Sequence, residues 1–188
     1  MDIKERFIKD FPIFKGEKSK PYIILFDAYT GMGKSTVAKE IAKKDNSVIL
    51  NNDQVRDWLS DYNDSTNLKS ELQNYRLELL LKNNNSCICD SCFCHNWKEK
   101  IKYYDKLGYK YYIIRLVCDE EVIKERLSKR VKDENNFSVA DYNGYLWMKE
   151  NVSLVDDELI DFTIDTDGNL EEQIDEFLDM VDLKQRKR

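Results

Sequence analysis

In residues 27–36 the chain reads Asp27-Ala28-Tyr29-Thr30-Gly31-Met32-Gly33-Lys34-Ser35-Thr36. Residues 22–26 before it form an apolar run, and residues 37–44 after it have helical character. A strand that feeds a glycine-rich turn opening a helix directs several backbone N–H groups, and the positive end of the helix dipole, at one point. The stretch is therefore predicted to bind an anion.

This loop follows the pattern G-x-x-x-x-G-K-[ST] at every position but the first, which is Ala28. In that pattern Lys34 reaches the β- and γ-phosphates of a nucleoside triphosphate, and the Ser35 hydroxyl completes the coordination of Mg²⁺. Alanine tolerates positive φ less well than glycine, so Ala28 costs about 1 kcal/mol if the loop needs a left-handed residue there. Residues 28–36 are the predicted nucleotide-binding residues.

Composition is that of one water-soluble domain spanning residues 1–188, with 41% hydrophobic and 35% charged residues. No apolar run approaches the roughly 20 residues that span a bilayer, so no membrane association is expected. The N-terminus lacks the apolar core of a secretory signal, which makes the cytoplasm the expected location. A net charge of −6 argues against a protein that coats nucleic acid with a broad basic surface.

Hydrophobic periodicity predicts strands that alternate with helices, which is typical of an α/β fold with a parallel sheet and helices on both faces. The five predicted strands are residues 22–26, 47–51, 86–90, 109–117 and 162–165. The main predicted helices are residues 37–44, 55–62, 67–82, 97–107, 120–130, 140–155 and 170–183. In the helix at 140–155, Tyr145, Trp147 and Met148 are expected to be core or helix-packing residues rather than ligand contacts.

The second predicted strand ends in Asn51-Asn52-Asp53-Gln54-Val55-Arg56. Ligands of open parallel sheets bind at the carboxyl ends of the strands, so Asp53 is expected beside the terminal phosphate. A carboxylate there can take the proton of an attacking hydroxyl, and Arg56, one helical turn on, can bind an anionic group of the acceptor. The alternative is that Asp53 only caps the next helix and that Arg56 pairs with Asp57 or Asp61.

Arg126 and Arg130 are four residues apart where a predicted helix enters a polar stretch. Both can point to one face, and a lid at about residues 126–140 would bring them over the triphosphate. Their positive charge would then stabilise the transition state of phosphoryl transfer, as an arginine finger does. The alternative is cation enrichment at a helix C-terminus for dipole reasons.

Four segments of the chain carry a resemblance to a known family: A-Y-T-G-M-G-K-S-T, N-N-D-Q-V-R, C-I-C-D and E-R-L-S-K-R. Together they resemble the kinase domain of the polynucleotide 5′-kinase family. The resemblance covers most of residues 22–130 in order and spacing. It implies a P-loop kinase-type three-layer sandwich with a five-stranded parallel sheet and a helical lid. It also implies transfer of phosphate from ATP, with Mg²⁺, to the 5′-hydroxyl end of RNA or DNA.

The resemblance also implies roles for individual residues. Asp53 would be the general base, Arg56 would contact the phosphate 3′ to the acceptor nucleoside, and Arg130 would be the lid arginine. Asp90 matches a functional acid of the family and is a predicted substrate-binding residue.

Two other functions stay open at this point. Kinases of the adenylylsulfate and nucleoside type share the D-x-x-R element, so a nucleoside, nucleotide or other small hydroxyl compound is an alternative acceptor. A nucleotide-binding switch without catalysis is a further alternative, although a switch needs no base beside the γ-phosphate.

Four cysteines and one histidine lie close together in the sequence: Cys87, Cys89, Cys92, Cys94 and His95. Cys89 and Cys92 have the spacing of a zinc knuckle. A structural zinc, however, usually joins two separated ligand pairs, and Cys87 and Cys89 alternate onto one face of a strand, where small apolar residues suit a core. Reduced thiols are therefore expected, with zinc as the alternative.

Overall fold

The computed structural model describes residues 2–60, 66–129 and 140–186. The strands are β1 (Tyr22–Asp27), β2 (Val48–Asn51), β3 (Cys87–Cys92), β4 (Lys110–Val117) and β5 (Phe162–Asp165). The helices are α1 (Ile3–Asp10), α2 (Lys34–Asp45), α3 (Asn52–Leu59), α4 (Thr66–Lys82), α5 (Trp97–Leu107), α6 (Glu120–Ser128), α7 (Tyr142–Asn151) and α8 (Leu170–Arg186).

The five strands form one sheet in the order β2-β3-β1-β4-β5, and every neighbouring pair is parallel. Central strand β1 is buried along its whole length, as its apolar sequence requires when helices cover both faces. Because parallel strands share a direction, the carboxyl ends of β1, β2 and β3 lie at one edge of the sheet. The predicted five-stranded α/β fold is confirmed.

Two hydrophobic cores lie on opposite faces of the sheet. Alternate residues of β1 divide between them: Ile24 and Phe26 pack with α2, α6, α7 and α8, and Ile23 and Leu25 pack with α4 and α5. A smaller cluster joins α1, α3 and α4 around Phe7. The layers are therefore helix, sheet and helix.

Several predicted elements differ from the structure. Helix α3 begins at Asn52 because the Asn51 side chain caps it, and β3 continues past Asp90 to Cys92. Helix α7 is shorter than predicted, and Trp147 is 55% exposed rather than in the core, whereas Tyr145 is buried.

Residues 130–139 lie outside the described residues, so the lid stays a prediction, as does the extent of the domain. No helix in the described part of the chain combines the length and apolar character needed to cross a bilayer.

Candidate functional site

The turn between β1 and α2 depends on two glycines with left-handed backbones. The φ of Gly31 is 82° and that of Gly33 is 86°. A Cβ on Gly31 would lie 2.8 Å from the Cγ2 of Ile123, so α6 packs directly on the loop. Ala28 is not among the described residues with positive φ, so the substitution at the first position of the pattern carries no backbone strain.

The other residues of this loop differ in exposure and in their internal hydrogen bonds, and their binding of a nucleotide stays a prediction. Thr30 is half-buried, and the buried Met32 accepts a hydrogen bond at its sulfur from the Tyr29 amide (3.2 Å). The first turn of α2 leaves Ser35 and Thr36 exposed, and the Thr36 amide donates to the Gly33 carbonyl (3.0 Å). The Nζ of Lys34 donates to the Tyr29 carbonyl (2.6 Å), so its ammonium lies over the loop.

Asp90 lies near the carboxyl end of β3, the strand next to β1, and its side chain is buried. Its carboxylate accepts a hydrogen bond from Asn51 Nδ2 (2.8 Å). Burial raises the pKa of Asp90, while a hydrogen bond from the Ser35 hydroxyl and the charge of Lys34 lower it. The structure thus brings Lys34, Ser35 and Asp90 together at one edge of the sheet.

Asp53 lies in the first turn of α3, close enough to Asp90 for its charge to raise the pKa of that carboxyl. The helix is capped by Asn51, whose Oδ1 accepts from the amides of Asp53 and Gln54 (both 2.9 Å), so Asp53 is not the cap. Asp53 pairs instead with Arg56 (3.0 Å), and the two side chains are 32% and 47% exposed. Both remain accessible to an acceptor.

Arg126 is held by the turn that follows β5. Its guanidinium donates to the Thr166 hydroxyl (2.9 Å), the Thr166 carbonyl (2.9 Å) and an Asp167 carboxylate oxygen (3.1 Å). Thr166 also lies against the loop, because a Cβ on Gly33 would be 3.3 Å from its Cγ2. These hydrogen bonds therefore hold Arg126 near the loop. Its action on a triphosphate stays a prediction. Arg130 lies outside the described residues.

The sequence did not lead us to predict a buried ion pair, which joins Asp27 and Arg115. Asp27, at the end of β1, is 0% exposed. Its carboxylate accepts from Arg115 Nε (2.8 Å) on β4 and from the Val155 amide (3.1 Å). Arg115 also donates to the Val155 carbonyl and to Asp157. The signal that could have revealed the pair is an arginine within the otherwise apolar Ile113–Val117 part of β4.

Tyr29 joins the loop to the two ends of α7. Its hydroxyl donates to the Val152 carbonyl (2.8 Å), just after the helix. Its ring packs edge-on against Tyr145, with ring centroids 6.2 Å apart. Because the backbone carbonyl of the same residue holds Lys34, these contacts fix the part of the loop that positions the lysine.

We expect Tyr29→Phe to weaken binding of the nucleotide analogue Mg·AMPPNP about two- to tenfold, the value of one hydrogen bond. The phenyl ring keeps its contact with Tyr145, so the fold should be unchanged. Tyr142→Phe is the matched control, since it removes a hydroxyl that donates to Glu120 (3.0 Å) on α6. Calorimetry that gives both variants the wild-type dissociation constant would show that Tyr29 does not order the loop.

Three of the cysteines, Cys87, Cys89 and Cys94, are buried in the packed interior. Cys87 and Cys89 are buried in the core beneath α4 and α5, as predicted, and the Cys94 thiol donates to the Ala28 carbonyl (3.5 Å). Burial raises the pKa of Cys89 and of Cys94 to about 11, so both stay protonated at neutral pH. In residues 2–60, 66–129 and 140–186, no three His, Cys, Asp or Glu side chains are grouped so that they could hold a metal ion.

Comparison with known proteins agrees with this geometry. A family model described as an AAA domain matches residues 24–154, which is more than half of the chain. The chain belongs to this AAA domain family. We found no curated protein whose sequence matches it significantly.

Solved structures resemble this AAA domain across nearly their whole length. An APS kinase from Mycobacterium tuberculosis, in complex with AMPPNP and APS, has a TM-score of 0.58 at 14% identity, covering 87% of this chain and 98% of the other. A gluconokinase from Sinorhizobium meliloti 1021 has a TM-score of 0.56 at 17% identity, covering 91% and 97%. A shikimate kinase from Bacteroides thetaiotaomicron has a TM-score of 0.55 at 12% identity, covering 87% and 98%. This AAA domain therefore has the fold of a P-loop kinase.

Proposed function

We propose that this AAA domain transfers the γ-phosphate of ATP to a hydroxyl group. The observation that carries the proposal is the placement of two carboxylates beside the loop. Asp90 lies near enough to Ser35 and Lys34 for both to lower its pKa, and Asp53 lies near Asp90, one strand farther from the loop. A nucleotide held at Lys34 would direct its terminal phosphate toward this edge, where an acceptor can enter.

The residues around Ser35 fit a magnesium ion. Mg²⁺ prefers oxygen ligands and is usually held by one or two carboxylates, substrate phosphates and water. The Ser35 hydroxyl lies near enough to Asp90 to lower the pKa of that carboxyl, and these two side chains would hold the ion. When bound, the ion would neutralise charge that develops on the phosphate oxygens.

Asp53 would then act as the general base. It is one-third exposed, so an acceptor hydroxyl can reach it. Its carboxylate would accept the hydroxyl proton as the oxygen attacks the γ-phosphorus, and ADP would leave with the bridging oxygen. Lys34 would stabilise the charge on the phosphate oxygens, and Arg126 and Arg130 would do so after approaching the triphosphate.

The first candidate acceptor is the 5′-hydroxyl end of a polynucleotide. The resemblance to polynucleotide 5′-kinases supports it, and so does the Asp53–Arg56 pair, whose half-exposed guanidinium can contact the phosphate that follows the terminal nucleoside. The second candidate is a small hydroxyl compound. It is supported by the structural similarity to kinases of APS, gluconate and shikimate and by the acidic net charge of −6.

A transfer assay tests the function and separates the two acceptors. ATP labelled at the γ-phosphate would be incubated with Mg²⁺, the protein, and RNA or DNA oligonucleotides bearing a free 5′-hydroxyl, in parallel with a panel of small hydroxyl compounds. We expect labelled product in one set and none with Lys34→Ala. If no acceptor of either class is labelled by protein that binds ATP, the kinase proposal is wrong and a non-catalytic nucleotide switch remains.

A further inference from the structure

One amide side chain at the end of β2 contacts two parts of the candidate site. The Oδ1 of Asn51 accepts hydrogen bonds from the backbone amides of Asp53 and Gln54 (both 2.9 Å), in the first turn of α3. Its Nδ2 donates to the Asp90 carboxylate (2.8 Å) on β3. Asn51 therefore joins the helix that bears the proposed base to the carboxylate beside the loop.

The orientation of this amide follows from the chemistry of its partners. Backbone N–H groups can only donate, so the atom that they meet must be the side-chain oxygen. The amino group then faces Asp90, whose carboxylate only accepts when it is ionised. With the two ends exchanged, N–H would meet N–H, and oxygen would meet the carboxylate. Asn51 thus has one satisfied orientation, in which both contacts are made at once.

The sheet and the chain fix where these groups lie. Strands β2 and β3 are parallel neighbours, and Asn51 is the register partner of Asp90. Asn51 is also the last residue of β2, and α3 begins at the next residue. Because no loop separates the strand from the helix, the position of Asp53 follows the end of the strand.

A helix cap alone needs only one of the two contacts. Serine and aspartate cap helices about as well as asparagine does. Aspartate, however, has no N–H to donate to Asp90. Serine ends one atom earlier than asparagine, which reaches Asp90 with the terminal atom of its side chain. Of these capping residues, asparagine is the one that can also hold the carboxylate on the neighbouring strand.

We propose that Asn51 is a positioning residue, which holds Asp90 and the first turn of α3 in a fixed relative position. The inference rests on the proposed function, because it assigns Asn51 to the two carboxylates that this function uses. The hydrogen bond from Asn51 engages the Oδ2 of Asp90, so the carboxylate keeps a second oxygen for a magnesium ion. Hydrogen-bond partners of metal-binding side chains contribute about 10–100-fold to metal affinity or activity.

Two variants of Asn51 separate positioning from helix capping. Asn51→Ala removes both contacts, whereas Asn51→Ser keeps an oxygen that can cap α3 but does not reach Asp90. The melting temperature without nucleotide should therefore fall in Asn51→Ala and be largely restored in Asn51→Ser. If Asn51 only caps the helix, serine should restore every other property as well. If Asn51 positions Asp90, serine should restore the melting temperature alone.

Calorimetry with AMPPNP measures the positioning of Asp90 without turnover. Each protein would be titrated once with EDTA and once with saturating Mg²⁺. Without the metal ion, the affinity of Asn51→Ser for AMPPNP should equal that of the wild type, because the loop is unchanged. With Mg²⁺, the affinity should be about tenfold weaker than that of the wild type.

An asparagine at the start of another helix provides the matched control. The Oδ1 of Asn169 accepts from the Glu172 amide (3.4 Å), and its Nδ2 donates to the carboxylate of the same residue (3.1 Å). Asn169 is exposed and makes both contacts within the first turn of α8. Asn169→Ala should therefore bind AMPPNP like the wild type, with EDTA and with Mg²⁺.

Turnover gives a second readout in a protein that transfers phosphate. The kcat of Asn51→Ser should be about 10–100-fold below that of the wild type, because a displacement of about 1 Å at the reacting groups has an effect of this size. The KM for the acceptor should stay within about threefold, because Asn51 is assigned no contact with the acceptor. Wild-type kcat in Asn51→Ser would overturn the inference.

The outcomes separate this inference from the proposed function. If Asn51→Ser binds AMPPNP like the wild type with Mg²⁺, or if Asn169→Ala loses the same affinity, the inference is wrong, even where phosphate transfer is observed. It is also wrong if Mg²⁺ does not strengthen AMPPNP binding to the wild type. A selective loss of the Mg²⁺ effect in Asn51→Ser, in a protein that transfers phosphate to no acceptor, keeps Asn51 as a positioning residue and overturns the kinase function.

Discussion

Asp53→Asn is expected to lower kcat for phosphate transfer about 10²–10⁴-fold, the usual contribution of a general base. Asparagine has nearly the same shape and can still contact Arg56, but it cannot accept the proton of the acceptor hydroxyl. Affinity for Mg·AMPPNP should change little, because Asp53 lies on α3, outside the phosphate-binding loop. The measurement is initial transfer rate with the best acceptor, alongside calorimetry with the analogue.

Asp57→Asn is the matched control for this prediction. Asp57 is an exposed residue on the same helix, one turn beyond Asp53, so its replacement should leave kcat within about twofold of the wild type. If Asp53→Asn retains wild-type kcat while Lys34→Ala is inactive, another group takes the proton and the role assigned to Asp53 is wrong.

Arg115→Met should destabilise the folded protein by about 3–5 kcal/mol, the cost of leaving a buried charge without its partner. Asp27 would keep its hydrogen bond from the Val155 amide but lose the guanidinium, in a position with no solvent exposure. The free energy of unfolding, from urea denaturation at neutral pH, measures the effect. A loss below about 1 kcal/mol, the value of a surface ion pair, would contradict a structural role for this pair.

The double variant Asp27→Leu/Arg115→Met distinguishes a lost pair from lost packing. Removing both charges should recover most of the stability, because a buried pair can often be replaced by apolar residues at little cost.

Burial already raises the pKa of Asp27, and the pKa should rise further in Arg115→Met. The folded state then binds a proton more readily than the unfolded state, so the deficit of Arg115→Met is largest above the folded-state pKa of Asp27. It should shrink as the pH falls through that value.

Local patterns were sufficient for much of this fold. The apolar run, the two glycines and the lysine of the loop define a strand, a turn and a helix within residues that are adjacent in sequence. Alternating periodicities then give the five strands and the parallel sheet. The order β2-β3-β1-β4-β5 was not predicted, because it depends on contacts between strands that are distant in the chain.

The candidate site was predictable where it follows the ends of strands. Asp53 and Asp90 come together because β2 and β3 are neighbours and end at the same edge. The Asp27–Arg115 pair joins residues 88 positions apart and has no local pattern. The hydrogen bonds of Arg126 to Thr166, which is 40 positions away, could not be predicted for the same reason.

Two buried polar side chains of α4 could not be found from the sequence either. Gln73 and Arg76 are 6% and 8% exposed, and both polar atoms of Gln73 and the Nε of Arg76 have no hydrogen-bond partner among the described residues. That information comes only from the packed structure.

Titration of the protein with Mg·AMPPNP in a calorimeter is the most direct test of the central claim, that the loop of residues 28–36 holds the triphosphate of a nucleotide. The account predicts one binding site in the wild type and affinity at least about tenfold weaker in Lys34→Met, because the ammonium makes charged hydrogen bonds to the phosphates. Absence of binding to the wild type, or equal affinity in Lys34→Met, would contradict it.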